Sequence, residues 1–137
     1  MKCLFCDIIA GDQPAHFVHE DDNHVAFLDK YPIDVGHTLV VPKIHHEKIT
    51  DMNSNKVGML FSQVPRIATG ILKATGADAF SLGQNNGRAA KQIIPHVHIH
   101  IIPRFNNKGT IWTKRGISTD TELRELAQKI QNCLKDN

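Results

Sequence analysis

His96-Val97-His98-Ile99-His100-Ile101-Ile102-Pro103, with Arg104 next, alternates three histidines with branched apolar residues. Side chains in a strand repeat every two positions, so His96, His98 and His100 share one face and Val97, Ile99 and Ile101 the other. The apolar face can be buried. The opposite face then presents three groups that titrate or bind metal near neutral pH. Alternate residues on one face lie about 6.5–7 Å apart, close enough for neighbouring imidazoles to meet one anionic group together. Three readings are open for that face: solvated histidines on a half-exposed strand, a metal face, or catalysis at phosphorus. In the last, one imidazole attacks and its neighbours stabilise the phosphoryl oxygens. His98, flanked on both sides, is the natural nucleophile.

Working outward, Cys3 to Ala10 reads as one or two helical turns ended by Gly11. Phe17–His19 and His24–Leu28 read as a hairpin around the acidic turn Glu20-Asp21-Asp22-Asn23. Thr38-Leu39-Val40-Val41, closed by Pro42, is a short buried strand. From Ser54 to Thr75 the apolar positions follow helical spacing, with Ser54 as cap, Gly76 as stop and Pro65 as an internal kink. Phe80 to Gly83 reads as a strand leading into the loop Gln84-Asn85-Asn86-Gly87. A last helix spans about Thr121 to Leu134, with Thr119 and Glu122 as a capping box and Leu123, Leu126, Ile130 and Leu134 as its inner stripe. Short strands with two segregated helices predict an α+β domain built on an antiparallel sheet.

At 137 residues, 41% hydrophobic and 22% charged, residues 1–137 are expected to form one domain with its own core. A formal net charge of +2 gives no case for nucleic-acid or membrane-surface partners. No stretch approaches the roughly 18–20 apolar residues of a membrane span. Asp7 interrupts the N-terminal apolar residues too early for a secretory signal, so the cytoplasm is the expected compartment. In a reducing compartment the Cys3-x-x-Cys6 pair suggests metal or redox use, and Cys133 a small helix residue. His16, His19, His24 and His46 have no motif support and read as solvated surface residues.

The segment around His98 resembles the signature of the histidine triad (HIT) family. The resemblance extends to Phe27-Leu28-Asp29, to Gly36-His37-Thr38-Leu39-Val40-Val41-Pro42-Lys43 and to Asn85-Asn86-Gly87. It implies a HIT-like fold, an antiparallel sheet with two main helices that continues across a homodimer. It also implies a nucleotide-binding hydrolase or transferase that cleaves a nucleoside monophosphate, AMP above all, from its leaving group. The route is a covalent nucleotidyl-histidine on His98, and the substrate a purine nucleotide. By position, His100 and His37 match contacts to the α-phosphate and Asp29 the acid that holds the ribose hydroxyls. Phe5, Ile8 and Phe27 match the walls of the base pocket, and Asn85 a polar residue near phosphate and ribose.

Many bacterial members carry a structural Zn²⁺, and the resemblance implies one held here by Cys3, Cys6, His45 and His96, with the adjacent His46 the weaker match. Pro103-Arg104 resembles the branch of dinucleoside polyphosphate hydrolases, which stands as an alternative activity. A non-catalytic nucleotide-binding or interaction protein is the other alternative. Where many members have Gly-Gln-Ser or Gly-Gln-Thr before the triad, this chain has Lys91-Gln92-Ile93. Gln92 is kept as a nucleotide-site candidate, while Ile93 cannot donate a hydrogen bond. Lys91 either adds a charge near a polyphosphate or points to solvent. Arg104 and Lys114-Arg115 carry the same two readings, and Trp112 packs near a neighbouring subunit or the site's mouth.

Overall fold

The computed structural model describes residues 3–113 and 116–135. Five strands form one antiparallel sheet in the order β1-β2-β3-β5-β4: β1 Phe17–Glu20, β2 His24–Leu28, β3 Thr38–Pro42, β4 Ala79–Gly83 and β5 Ile99–Arg104. The β1–β2 hairpin turns where expected, because the Asp21 carboxylate accepts from the Asn23 and His24 backbone N–H groups at 2.8 and 2.7 Å.

Strand alternation divides the core in two. Ala26, Leu28, Val40, Val97, Ile99 and Ile101 face the long helices and pack with Ile67, Ile71, Leu123 and Ile130. Val25, Phe27, Leu39 and Val41 face the other way and are covered by Phe5 and Ile8 of α1 (Leu4–Ala10). β2 and β3 are therefore buried on both faces. α1 does end at Gly11, which takes the left-handed conformation at φ 86°.

The expected long helix is two helices, α2 Ser54–Ser62 and α3 Val64–Thr75. Pro65 does more than kink it. Without an N–H it cannot bond the carbonyl four residues back, and the ladder is interrupted at Gln63, whose φ/ψ of −71°/−24° stays helical. The cap is Asn53, one residue before the expected Ser54, its side chain accepting from Lys56 N at 2.9 Å. α4 spans Asp120–Lys135 with the Thr119/Glu122 capping box formed in both directions.

The triad segment also departs from expectation. β5 pairs with β3 only from Ile99, opposite Val40, to Ile101, opposite Thr38. Of the three histidines only His100 lies within the strand. Val97 N bonds instead to the His46 carbonyl at 2.8 Å, and the register would set Val97 opposite Pro42, which has no N–H to donate to it. The two-residue alternation nevertheless persists upstream: Val97 is in the core under the helices and the histidines stand on the opposite face.

Candidate active site

Cys3, Cys6, His45 and His96 converge although they come from the N-terminus, the segment after β3 and the approach to β5. Their ligand atoms all lie within 4.8 Å of one another. The His45 and His96 Nδ1 atoms are 3.2 Å apart. Cys6 Sγ is 3.3 Å from His45 Nδ1 and 3.5 Å from His96 Nδ1, and Cys3 Sγ is 3.5 Å from His96 Nδ1. A tetrahedron with Zn–S and Zn–N bonds of about 2.3 and 2.0–2.1 Å has edges of about 3.3–3.8 Å. The donor set and its spacing fit a tetrahedral ion. His96 Nε2–H donates to the Pro42 carbonyl at 2.8 Å, which leaves the Nδ1 lone pair facing the thiols. Burial, helped by the neighbouring imidazoles and opposed by that carbonyl, pushes the His96 pKa down to about 4, so the ring is neutral at pH 7. Burial, with Cys3 beside it, pushes the Cys6 thiol up to about 11.

His98 stands two residues on. Its Nδ1–H donates to the His96 carbonyl at 2.7 Å, so the lone pair of the neutral ring is on Nε2. Its ring centroid is 4.8 Å from that of His100 and 5.0 Å from that of Phe5, which meets it edge-on. Phe5 also packs on Phe27 at 5.4 Å, and Ile8 is buried in the same cluster. The three expected wall residues are thus brought to one side of His98.

His37 and His100 form a directed pair. The Ile33 backbone N–H donates to His37 Nδ1 at 3.0 Å. The neutral His37 ring therefore carries its proton on Nε2 and donates to His100 Nδ1 at 2.9 Å. His100 in turn carries its proton on Nε2. Asp29, buried, holds Tyr31 N at 2.9 Å and lies 3.7 Å from His37 Nε2. The ligand atoms of Asp29, His37 and His100 also cluster within 4.8 Å, but a proton sits between the two imidazoles. This second cluster suits hydrogen-bond donation to an anion, not metal binding. His37 reaches its place through Gly36, at φ 91°, where a Cβ would lie 2.7 Å from Thr75 Cγ2 and 3.1 Å from Pro103 Cγ.

The loop between β4 and β5 carries Asn85 and Gln92. Asn85 is half-buried and its side chain makes no hydrogen bond among the described residues. Gln92 is buried and its amide is committed at both ends: Oε1 accepts from Gly87 N at 2.7 Å and Nε2 donates to the Glu47 carbonyl at 2.6 Å. It clasps the loop. Asn86, read only as a loop residue, fixes the same contact by accepting from Ile49 N at 2.7 Å. No local sequence signal marks it, because its partner is 37 residues away.

Arg104 is turned to the C-terminal segment, donating to Ser81 Oγ at 3.0 Å and to the Ile111 carbonyl at 2.6 Å. Its guanidinium stacks on Trp112, whose ring lies against Gly83 at the β4 edge. Lys114 and Arg115 lie outside the described residues. The histidines read as solvated are less exposed than that: His24 is buried against Asp21 at 3.2 Å, and His16, His19 and His46 are half-buried.

The fold and site together define a small α+β protein in which one sheet face carries an ordered row of imidazoles beside an apolar wall. The model of the HIT domain matches residues 10–107, and the chain belongs to the histidine triad family. It is 38% identical over 134 residues to an adenylylsulfatase of Arabidopsis thaliana, covering 97% of this chain and 68% of that protein. It is 36% identical over 138 residues to an adenosine 5'-monophosphoramidase of Schizosaccharomyces pombe, covering 98% and 100%. Among solved structures, a zinc-bound histidine triad family protein of Mycobacterium smegmatis superposes with a TM-score of 0.88 at 34% identity, over 99% of this chain and 95% of that one.

Proposed function

We propose that this chain is a nucleotide hydrolase or transferase that works by double displacement at the α-phosphate, with His98 as nucleophile. The observation that carries the reading is the His98 tautomer. The carbonyl of His96 holds Nδ1–H and leaves the Nε2 lone pair beside His100. The names of the two curated relatives, a sulfatase and a phosphoramidase of adenylyl compounds, support it.

In the first step Nε2 of His98 forms a bond to phosphorus, and the bond from phosphorus to the leaving group breaks with its electron pair on that group. The imidazolium character of the adduct is shared with the His96 carbonyl through Nδ1–H. His100, kept as a donor by His37, stabilises the phosphoryl oxygens through its Nε2–H, and His37, whose own Nε2–H is given to His100, serves by holding that donor in place. Water then attacks phosphorus, expels the neutral imidazole, loses a proton to solvent and releases the nucleoside monophosphate. Asp29 accepts from the ribose hydroxyls, and Phe5, Ile8 and Phe27 wall a purine, adenine above all. Asn85 donates near the phosphate, and Gln92 positions the loop that carries it.

Cys3, Cys6, His45 and His96 would hold a structural zinc. With four protein donors it has no open position, and the chemistry it supplies is to fix the chain two residues before the nucleophile. The exposed β4 edge, with Phe80 39% and Leu82 43% exposed, suits a second copy of the chain continuing the sheet. Residues 1–137 are read as one domain. Among the described residues no helix is long and apolar enough to cross a membrane.

His98→Ala is expected to lower turnover of adenosine phosphoramidate by about a thousandfold or more while nucleotide affinity stays within a few-fold. Mass spectrometry of wild type quenched with a slow substrate is expected to show the nucleotidyl adduct. Turnover that survives in the variant would sink the assignment. Absence of both adduct and turnover would favour the non-catalytic alternative.

A further inference from the structure

Lys48, Arg88 and Lys91 surround one turn of the β4–β5 loop, and none of them makes an ion pair among the described residues. Three observations set this group apart from scattered surface cations. The Lys48 side chain, half-buried, runs beside Gly87, where a Cβ would lie in ordinary contact at 3.7 Å from Cε and 4.0 Å from Nζ. Gly87 itself has φ 94° and ψ 161°, a region open only to glycine. Lys91 has φ 64° and is the sole non-glycine at positive φ among the described residues, a conformation that costs an L-residue energy.

The turn is also rigidly assembled. Lys91 N donates to the Arg88 carbonyl at 2.9 Å and Gln92 N to the Gly87 carbonyl at 3.1 Å. The buried Gln92 amide ties Gly87 to Glu47, and Asn86 ties the loop to Ile49. The main chain that carries Arg88 and Lys91 is thereby fixed beside the Lys48 side chain before any ligand arrives.

Sheet order gives the group its direction. The loop leaves β4 at Gly83, which pairs with His100, and the chain returns at His96, so its two ends lie beside the residues that flank His98. Phe27 and Asp29 lie on the β2 and β3 side of β5, and the loop follows β4 on the other. A nucleotide seated with its base on the first side sends whatever follows its α-phosphate toward the second. Ile93, 81% exposed, offers that side no hydrogen-bond donor from its side chain, so charge is what remains to recognise a leaving group there.

We propose that Lys48, Arg88 and Lys91 form a preorganised leaving-group subsite for a condensed phosphate chain, which makes them specificity-determining residues. The assignment rests on the nucleotidyl-transfer reading above. Lys91→Gly is a clean charge deletion, because glycine is at ease at the φ this position already has. The ratio of kcat/KM for diadenosine tetraphosphate to kcat/KM for adenosine phosphoramidate is expected to fall about fivefold per removed charge, the effect of one unit charge at about 4 Å in water. It falls about a hundredfold in the triple variant Lys48→Met, Arg88→Ala, Lys91→Gly, and the difference shrinks as salt is raised. Lys129→Ala, an exposed lysine of α4, leaves the ratio unchanged. An unchanged ratio in the triple variant overturns the proposal. If wild type turns over neither substrate, the nucleotidyl-transfer reading fails and calorimetric titration with inorganic tripolyphosphate decides the subsite separately. Binding at least about tenfold tighter to wild type than to the triple variant upholds it, and equal affinity overturns it.

Discussion

His96, His98 and His37 owe their tautomers to main-chain partners, and His100 owes its own to His37. Pro42 O fixes His96, His96 O fixes His98, and Ile33 N fixes His37, which then fixes His100. One residue, His96, thus joins the thiol cluster to the proposed nucleophile: its ring faces Cys3 and Cys6, and its carbonyl holds His98. Metal removal is therefore expected to act on both stability and catalysis. Chelation lowers Tm by about 5 °C or more, read by calorimetry, and lowers kcat more than it changes KM. Because the Cys6 thiol lies at about 11 without a metal, it is protonated at neutral pH, and loading zinc must release its proton. Calorimetry in buffers of differing ionisation heat measures that release, and apparent zinc affinity rises with pH up to the thiol pKa. Zinc uptake without proton release would contradict the ligand set. The residue types and spacings of this site were legible in the chain itself. The choice of nitrogen on each ring was not, because it depends on carbonyls and N–H groups brought in from elsewhere.

Elements mostly followed their local signals, and the departures have local causes. The α2–α3 break is set by Pro65, whose missing N–H ends one ladder while its fixed φ suits the first turn of the next. The α4 start is the capping box expected from Thr119 and Glu122, with Thr119 Oγ1 accepting from Glu122 N at 3.1 Å. Thr119→Ala is expected to cost about 1 kcal/mol in urea unfolding. The backbone N–H and hydroxyl of Thr119 hold the Glu122 carboxyl below its ordinary value of 4.5. Its contribution is thus fully present above that value and is lost as pH falls through the depressed one. Urea midpoints of wild type and Glu122→Gln should converge as pH falls from 4.5 through the depressed value. A gap that persists unchanged in acid would mean that the charge on Glu122 does not matter to the cap. The late start of β5 had no such signal. Val97 and His98 have the composition of a strand, but the register would set Val97 opposite Pro42, which has no N–H to donate, and Val97 N is taken by the His46 carbonyl.

In the whole molecule the sheet is shielded unevenly. Helices cover one face, α1 covers part of the other, α4 lies along β1, and β4 keeps an exposed edge with Phe80 and Leu82 outward. A second copy pairing there would bury both side chains, so Leu82→Glu is expected to shift the protein to monomer in sedimentation at micromolar concentration. A monomeric wild type would remove that reading. The α+β class, the row of histidines, and the strand and helix positions within a residue or two, save the late start of β5 and the break between α2 and α3, followed from the sequence by itself. Periodicity, caps and turn residues act over a few positions and can be read locally. Tertiary structure alone decided that His96 and His45, 51 residues apart, meet two thiols, and that Gln92 spends its amide on a clasp. It alone gathered Lys48 with Arg88 and Lys91 about one turn. Those outcomes turn on contacts between segments far apart in the chain, and only folding sets such distances.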